Sequence, residues 1–236
     1  GEMGASVSPA ETSPEALAEL MVGRKVLLNV DKTPARPGAP VLEVRDLHLI
    51  DHEGVERLRG ISFDIRAGEI LGIAGVSGNG QTQLLELLGG YPEKGARVSG
   101  AIRMNGEALD LTGAGSDART RRRRGIGHVP EDRQTEGLIM DFTAWENIAF
   151  GYHDKAEYQK GWLMDNDAIR RDAKKYMEDF DCRPRNCDLA ARDFSGGNQQ
   201  KLVVARELER NPDLLLIGQP TRGVDIGAIE FIHKRI

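Results

Sequence analysis

The stretch Gly75-Val-Ser-Gly-Asn-Gly-Gln-Thr82 narrows the possible folds of this chain more than any other. It lies between a short apolar run, Ile70-Leu-Gly-Ile-Ala74, and a helical pattern over Thr82–Leu88. An apolar run of that length without polar alternation predicts a strand buried on both faces. Gly75, Gly78 and Gly80 free the backbone, so that successive N–H groups can point into one concavity. Asn79, Gln81, Thr82 and Gln83 complete the loop and open the helix, whose positive end favours anions. The usual phosphate-loop pattern is G-x-x-x-x-G-K-[ST], with Lys on the β- and γ-phosphates and Ser or Thr on Mg²⁺. Here Gln81 stands at the Lys position and brings a donor without charge, while Thr82 remains available to the metal. Taken alone, the loop reads equally as a glycine-rich turn with no ligand.

Two further blocks bear on that choice. In Phe194-Ser-Gly-Gly-Asn-Gln-Gln-Lys201, Ser195, Gly196 and Gly197 open a helix, giving a second N-terminus suited to an anion. The alternative is a plain helix start capped by Ser195. The second block is Leu214-Leu-Leu-Ile-Gly-Gln-Pro-Thr221, followed by Arg222-Gly-Val-Asp225. An apolar strand ending beside a phosphate loop normally presents Asp for Mg²⁺ and a neighbouring Glu for the attacking water. Gly218 and Gln219 occupy those places. A buried strand followed by a proline turn is the other reading.

The 236 residues suffice for one large α/β domain with a short extension, and 39% hydrophobic residues suffice for its core. The net charge of −5 argues against a general nucleic-acid binder. No apolar run approaches the roughly 20 residues that span a bilayer, and no signal peptide opens the chain, so a role at a membrane requires docking onto other subunits. Residues 1–40 read as a tail: a short helix from Pro14 through Met21, then a proline-rich linker over 32–40. Strands are expected at 41–49, 61–65, 70–74, 101–104, 126–129 and 213–217. A mostly helical stretch runs over about 141–195, with its clearest helix at 167–180. Helices follow at 197–209 and from Ile226.

In this order and spacing, the three blocks resemble the ATP-binding-cassette (ABC) ATPases over about residues 41–236. That resemblance implies a P-loop NTPase core of mixed or parallel sheet flanked by helices, with an antiparallel β part and a helical subdomain at about 141–195. The Ser-Gly-Gly block resembles the family signature. Val129-Pro-Glu-Asp-Arg133 resembles the Q-loop region of importers for simple sugars and nucleosides, with Glu131 where Gln usually stands. Gly218–Ala228 and Ile229–Lys234 are most similar to the second cassette of nucleoside-type importers, and Glu19–Arg24 to the end of a first cassette. By position, Gly75, Gly78, Asn79, Gly80, Gln81, Thr82 and Gln83 would surround the phosphates of ATP, with Mg²⁺ on Thr82. Ser195, Gly196, Gly197, Asn198 and Gln199 would close over nucleotide held by a partner cassette. Asp225 would sit at the dimer boundary, and His52 would stack on adenine, against the plainer reading of His52 as an exposed loop residue.

The departures shape the functional expectation. Gln81, Gly218 and Gln219 together replace Lys, Asp and Glu, so this half would bind ATP and Mg²⁺ weakly, hydrolyse poorly and mainly complete its partner's site. The chain also ends before a segment that could supply the family's switch histidine; His233 comes too soon after the strand. Expected partners are the first cassette of the same polypeptide, transmembrane permease subunits and, indirectly, an extracytoplasmic solute-binding protein, with no nucleic acid. The expected location is peripheral, on the cytoplasmic face of the membrane. The alternative is a non-catalytic scaffold domain of a soluble protein in translation or DNA maintenance. Arg119–Arg124 reads as a solvated basic helix face. Trp145 and Trp162 read as contact aromatics or as packing. Asp165–Asp167 reads as a helix cap, and Cys182 and Cys187 as two reduced thiols.

Overall fold

The computed structural model describes residues 6–8, 10, 12–23, 34–113 and 115–236. The expectations for the polar start of the chain and for residues 24–33 lie outside these, in whole or in large part. Helix α1, Pro14–Val22, forms as the Ser13-Pro14 start predicts: Ser13 Oγ accepts from Ala16 N, and Pro sits in the first turn.

An antiparallel sheet in the order β2-β1-β3-β4 follows. Its strands are β1 (Pro40–Ile50), β2 (Glu56–Arg66), β3 (Arg97–Met104) and β4 (Glu107–Ala108). The alternation in β1 is only partial because the strand is bulged. Its pairing with β2 shifts between Val44 and Leu47, and Asp46 takes a φ of 46°. One extra residue resets the phase, so Leu42 and Val44, then Leu47 and Leu49, all face the core. Gly100 on β3 makes room for the bulge: a Cβ there would lie 2.4 Å from Asp46 O. The buried face packs against helix α2 (Gln81–Gly89) through Leu84, Leu87 and Leu88.

Strands β5 (Ile126–Val129) and β8 (Leu214–Ile217) pair in parallel; all four residues of β5 are buried, as the apolar run in β8 and the doubly covered position require. The expected strand at 70–74 does not form. Residues 70–76 join no ladder, and Ile70 and Ile73 are 68% and 54% exposed. An apolar run buried in a sheet needs a hydrogen-bonded neighbour, and a cleft separates this segment from β8.

A second core belongs to the helical part: α4 (Ala144–Ala149), α5 (Asn166–Asp179), α6 (Gly196–Leu208) and α7 (Ile226–Arg235). Asp165 caps α5 as expected. The stretch is not helical throughout: β6 (Gln159–Lys160) and β7 (Leu163–Met164) form a hairpin whose Gly161-Trp162 tip stands in solvent. Trp145 instead packs in the core, under the Arg170 guanidinium. Both cysteines are free and buried, and burial pushes the Cys182 thiol up to about 12.

The basic run is solvated at Arg119, Arg123 and Arg124, as expected, but its charges are paired and Arg121 turns inward. Arg121, in helix α3 (Ala118–Arg123), is buried and donates to Asp110 O; Arg119 and Arg123 converge on Asp154, and Arg124 pairs with Glu107. Those hydrogen bonds from Arg119 and Arg123 hold the Asp154 carboxyl down at about 2. A carboxyl depressed in the folded state contributes stability above its unfolded pKa and loses it as pH falls towards 2. Asp154→Asn should therefore destabilise at pH 7 by up to about 1 kcal/mol, since the pair is partly exposed. In urea titrations the deficit should shrink at pH 3.

The polar centre of the second core is Glu207, fully buried on α6. Its Oε1 accepts from Arg206 Nε at 2.7 Å, and its Oε2 from Tyr152 Oη at 2.6 Å and His128 N at 3.1 Å. Burial pushes the carboxyl pKa up, but Arg206, Tyr152 and Arg122 outweigh it and leave the pKa low. Arg206 Nη1 also donates to Gly137 O and Asn147 O. Glu207→Leu leaves a buried guanidinium without its counter-charge and should cost about 3–5 kcal/mol in urea unfolding. Adding Arg206→Met should recover much of that loss, because the double variant buries no lone charge.

Candidate functional site

A cleft of about 560 Å³ opens between residues 71–78, the first turns of α2, Glu131 and the end of β8. It brings Gly75, Gly78, Gln81, Thr82, Glu131, Gly218 and Gln219 together from three separate parts of the sequence. The loop is exposed up to Asn79, and the turn closes with Asn79 N donating to Val76 O at 3.2 Å. Gly80 is buried at a φ of 97°, where a Cβ would lie 2.4 Å from Arg57 O, so only glycine fits. α2 has no side-chain N-cap, which leaves the N–H groups of Gln81, Thr82 and Gln83 without a side-chain acceptor. That is the donor array a phosphate group needs.

The Gln81 side chain folds back over the loop. Its Nε2 lies 3.4 Å from Val76 O, and a Cβ at Gly75 would meet it at 2.1 Å. A neutral amide thus stands at the position where the usual pattern has Lys. Thr82 Oγ1 donates to Glu131 Oε2 at 2.9 Å. Gly218 is buried beside the same carboxylate, and Gln219, at a φ of 41°, is exposed at the cleft rim. The surroundings are acidic. Burial and then neighbouring carboxylates, Glu131 among them, raise the pKa values of Glu86 and Glu136. Magnesium takes hard oxygens and usually one or two carboxylates beside substrate phosphates. The hydroxyl of Thr82 and the carboxylate of Glu131 fit that preference.

The signature block lies at the start of α6, on the other side of the 131–137 segment. Ser195, exposed, takes the N-cap position without capping: its Oγ accepts from Asn198 Nδ2 at 2.8 Å, and the first N–H groups of the helix have no side-chain cap. Gly196 and Gly197 permit close approach. A Cβ on Gly196 would lie 3.0 Å from Gly223 O, and one on Gly197 would lie 2.8 Å from Asp225 Oδ2. Asp225 caps α7 by accepting from Ala228 N at 2.9 Å. Gln199 is buried and satisfied inside the chain, donating to Ala191 O and Phe194 O and accepting from Gln134 Nε2. It therefore positions the helix rather than presenting a contact. His52 does not reach the cleft lining; it pairs with Glu93 on an exposed turn.

Two residues that the motif reading left without a role connect these parts. Arg133 donates to Arg222 O at 2.7 Å and to Gly223 O at 3.2 Å, and Gln134 holds Gln199. No local signal marked them, because their partners are 65 to 90 residues away.

Comparison with known proteins agrees with this geometry. The family model described as ABC transporter matches residues 58–222. Over 233 residues, the chain is 42% identical to the nucleoside import ATP-binding protein NupA of Lactococcus lactis, covering 98% of this chain and 44% of NupA. It is 41% identical to the guanosine import ATP-binding protein NupO of Bacillus subtilis (96% of this chain, 43% of NupO). It is 42% identical to the glucose import ATP-binding protein TsgD13 of Haloferax volcanii (100% and 42%). The chain thus spans less than half the length of these relatives. Among solved structures, a dimeric bacterial ABC transporter cassette superposes with a TM-score of 0.67 at 23% identity, covering 82% of this chain and 80% of that one. The cbiO1 subunit of Clostridium perfringens superposes at 0.63, also at 23% identity, covering 84% and 72%. With its phosphate loop, its Ser-Gly-Gly block and its fold all in agreement, the chain belongs to the ABC transporter family and has the fold of that family's ATP-binding cassette.

Proposed function

We propose that this chain is the second ATP-binding cassette of a two-cassette import ATPase for nucleosides or simple sugars. In this reading it holds ATP, hydrolyses it poorly and completes the active site of its partner cassette. One observation carries the proposal: Gln81, Gly218 and Gln219 line a single cleft with Thr82, while the start of α6 has no side-chain cap. The relatives' names support the importer reading over a soluble scaffold, and a chain covering 42–44% of each relative fits one cassette of two.

The division of labour follows from electrostatics. Backbone N–H groups of the loop and of the first turn of α2 bind and orient the phosphates, with Thr82 and Glu131 as the residues that would hold Mg²⁺. Bound Mg²⁺ would neutralise charge on the β- and γ-phosphates. Gln81 adds no positive charge at the terminal phosphate, and Gln219 cannot take a proton from water. Loss of one preorganised electrostatic group in such a site costs about 3–4 kcal/mol of transition-state stabilisation. Without both the cation at 81 and the base at 219, turnover falls to near nothing while binding survives. The open N-terminus of α6 then faces nucleotide held by the first cassette, with Asp225 beside it at the boundary.

Expected partners are the first cassette in the same polypeptide, permease subunits and, through them, a solute-binding protein. Among the described residues, no helix is long and apolar enough to cross a membrane. Attachment to the cytoplasmic face would therefore run through the permease. In the intact two-cassette polypeptide, Ser195→Arg should lower ATP hydrolysis at least about 100-fold by blocking the partner's site, the scale set by losing one oxyanion donor. Unchanged phosphate release would mean that this cassette does not complete a working site.

A further inference from the structure

We propose that Arg133 is a positioning residue for the partner cassette's active site, holding the start of α6 and the turn that leads to Asp225 at one fixed separation. The inference rests on the reading that this cassette completes its partner's site, and it names the side chain that keeps the completing parts in register.

Both parts are made of backbone that does not fix itself. Residues 218–225 join no helix or strand, and Gly223 takes a φ of 63°. Arg222 N closes the turn by donating to Gln219 O at 3.0 Å. α6 opens on two glycines, with no side-chain cap from Ser195. Glycine-rich backbone of this kind keeps one conformation only where its surroundings hold it.

Arg133 supplies that hold. Its Nη1 donates to Arg222 O at 2.7 Å and its Nη2 to Gly223 O at 3.2 Å, so one planar fork takes two successive carbonyls. A Cβ on Gly196 would lie 2.6 Å from Arg133 Nη2 and 3.0 Å from Gly223 O. The guanidinium and the turn it grips therefore both lie against the first signature glycine. At the other end the backbone around Arg133 is fixed. Asp132 Oδ1 accepts from Gln134 N at 2.9 Å and from Thr135 N at 3.3 Å, and Gln134 Nε2 donates to Gln199 Oε1 in α6 at 3.0 Å. Arg133 Nε is buried and has no partner among the described residues. A side chain needed for packing alone would gain from an apolar stem there, so the two Nη bonds are what a guanidinium adds. Groups that meet nucleotide on another cassette must arrive together, and a misplacement of about 1 Å in such a site can cost about 100-fold in rate. Arg133 acts through the backbone at 222–223 and the start of α6, without touching the nucleotide itself.

The test is steady-state ATP hydrolysis by the intact two-cassette polypeptide, with turnover normalised to the folded fraction measured by circular dichroism. Arg133→Met keeps an unbranched stem and removes the fork. Its kcat should fall about 10-fold or more while KM for ATP stays within about 2-fold, because the loss is felt in the transition state. Arg133→Lys keeps the charge but donates from a single point, so its kcat should lie between those of Arg133→Met and the unchanged protein. Adding Arg133→Met to Ser195→Arg should cost nothing further, since both act on one site. A loss that disappears on normalisation, or one explained wholly by a higher KM, overturns the positioning role. An unchanged kcat in Arg133→Met, while Ser195→Arg still lowers turnover, overturns it too but leaves the partner-site reading standing. No effect of Ser195→Arg overturns both.

Discussion

The arrangement of the cleft depends on a charge buried well behind it. Glu207 sits inside α6 and takes three donors, one of them the backbone N–H of His128 in β5. A carboxylate in that position would cost several kcal/mol if unpaired, so its partners are held in place by necessity. β5 is thereby tied to the signature helix, and β5 is the strand that ends in Pro130 and Glu131. Gly218 N donates to Val129 O at 2.8 Å, which brings the end of β8 to the same place. Burial also keeps the His128 imidazole neutral, pushing its pKa down to about 4, so the strand does not gain a charge near neutral pH. The position of Glu131 against Thr82 is thus the surface consequence of a packed polar core.

From Glu131 the chain continues directly into the residues that hold the other functional element. Arg133 grips the carbonyls of Arg222 and Gly223, and Gln134 holds Gln199 in the signature helix. Four consecutive residues therefore reach from the phosphate side of the cassette to its signature side. In the proposed reading, a cassette that lacks hydrolytic groups but keeps this connection would still report occupancy. The open start of α6 and the glycines at 196 and 197 would be moved as one piece with the 131–137 segment.

Much of this was legible in the sequence, and what was not has specific physical causes. The loop at 75–82, the strands β1, β5 and β8 and the helices α5, α6 and α7 follow from periodicity, glycine placement and capping residues such as Asp165 and Asp225. The run Ile70–Ala74 misled because its apolar pattern states a preference for burial, whereas a strand also needs a ladder partner. Among the arginines at 119–124, Arg121 left the expected solvated face, and the exposed ones found acidic partners. Counting charges could not show that Asp154, Glu107 and Asp110 O would absorb them. His52 sits where a family pattern suggests adenine contact; in the structure it is an exposed turn residue paired with Glu93. Arg133 and Gln134 carried no local signal because their partners lie across the fold.

The central claim is that this cleft retains ATP without breaking it. The direct measurement is a single-turnover experiment in which the chain, in excess over ATP and with Mg²⁺ present, is separated from free nucleotide. The bound fraction is then analysed for ATP and ADP. The account predicts that the nucleotide recovered on the protein is intact ATP, with no ADP accumulating over many minutes. Recovery of bound nucleotide as ADP within seconds would contradict it.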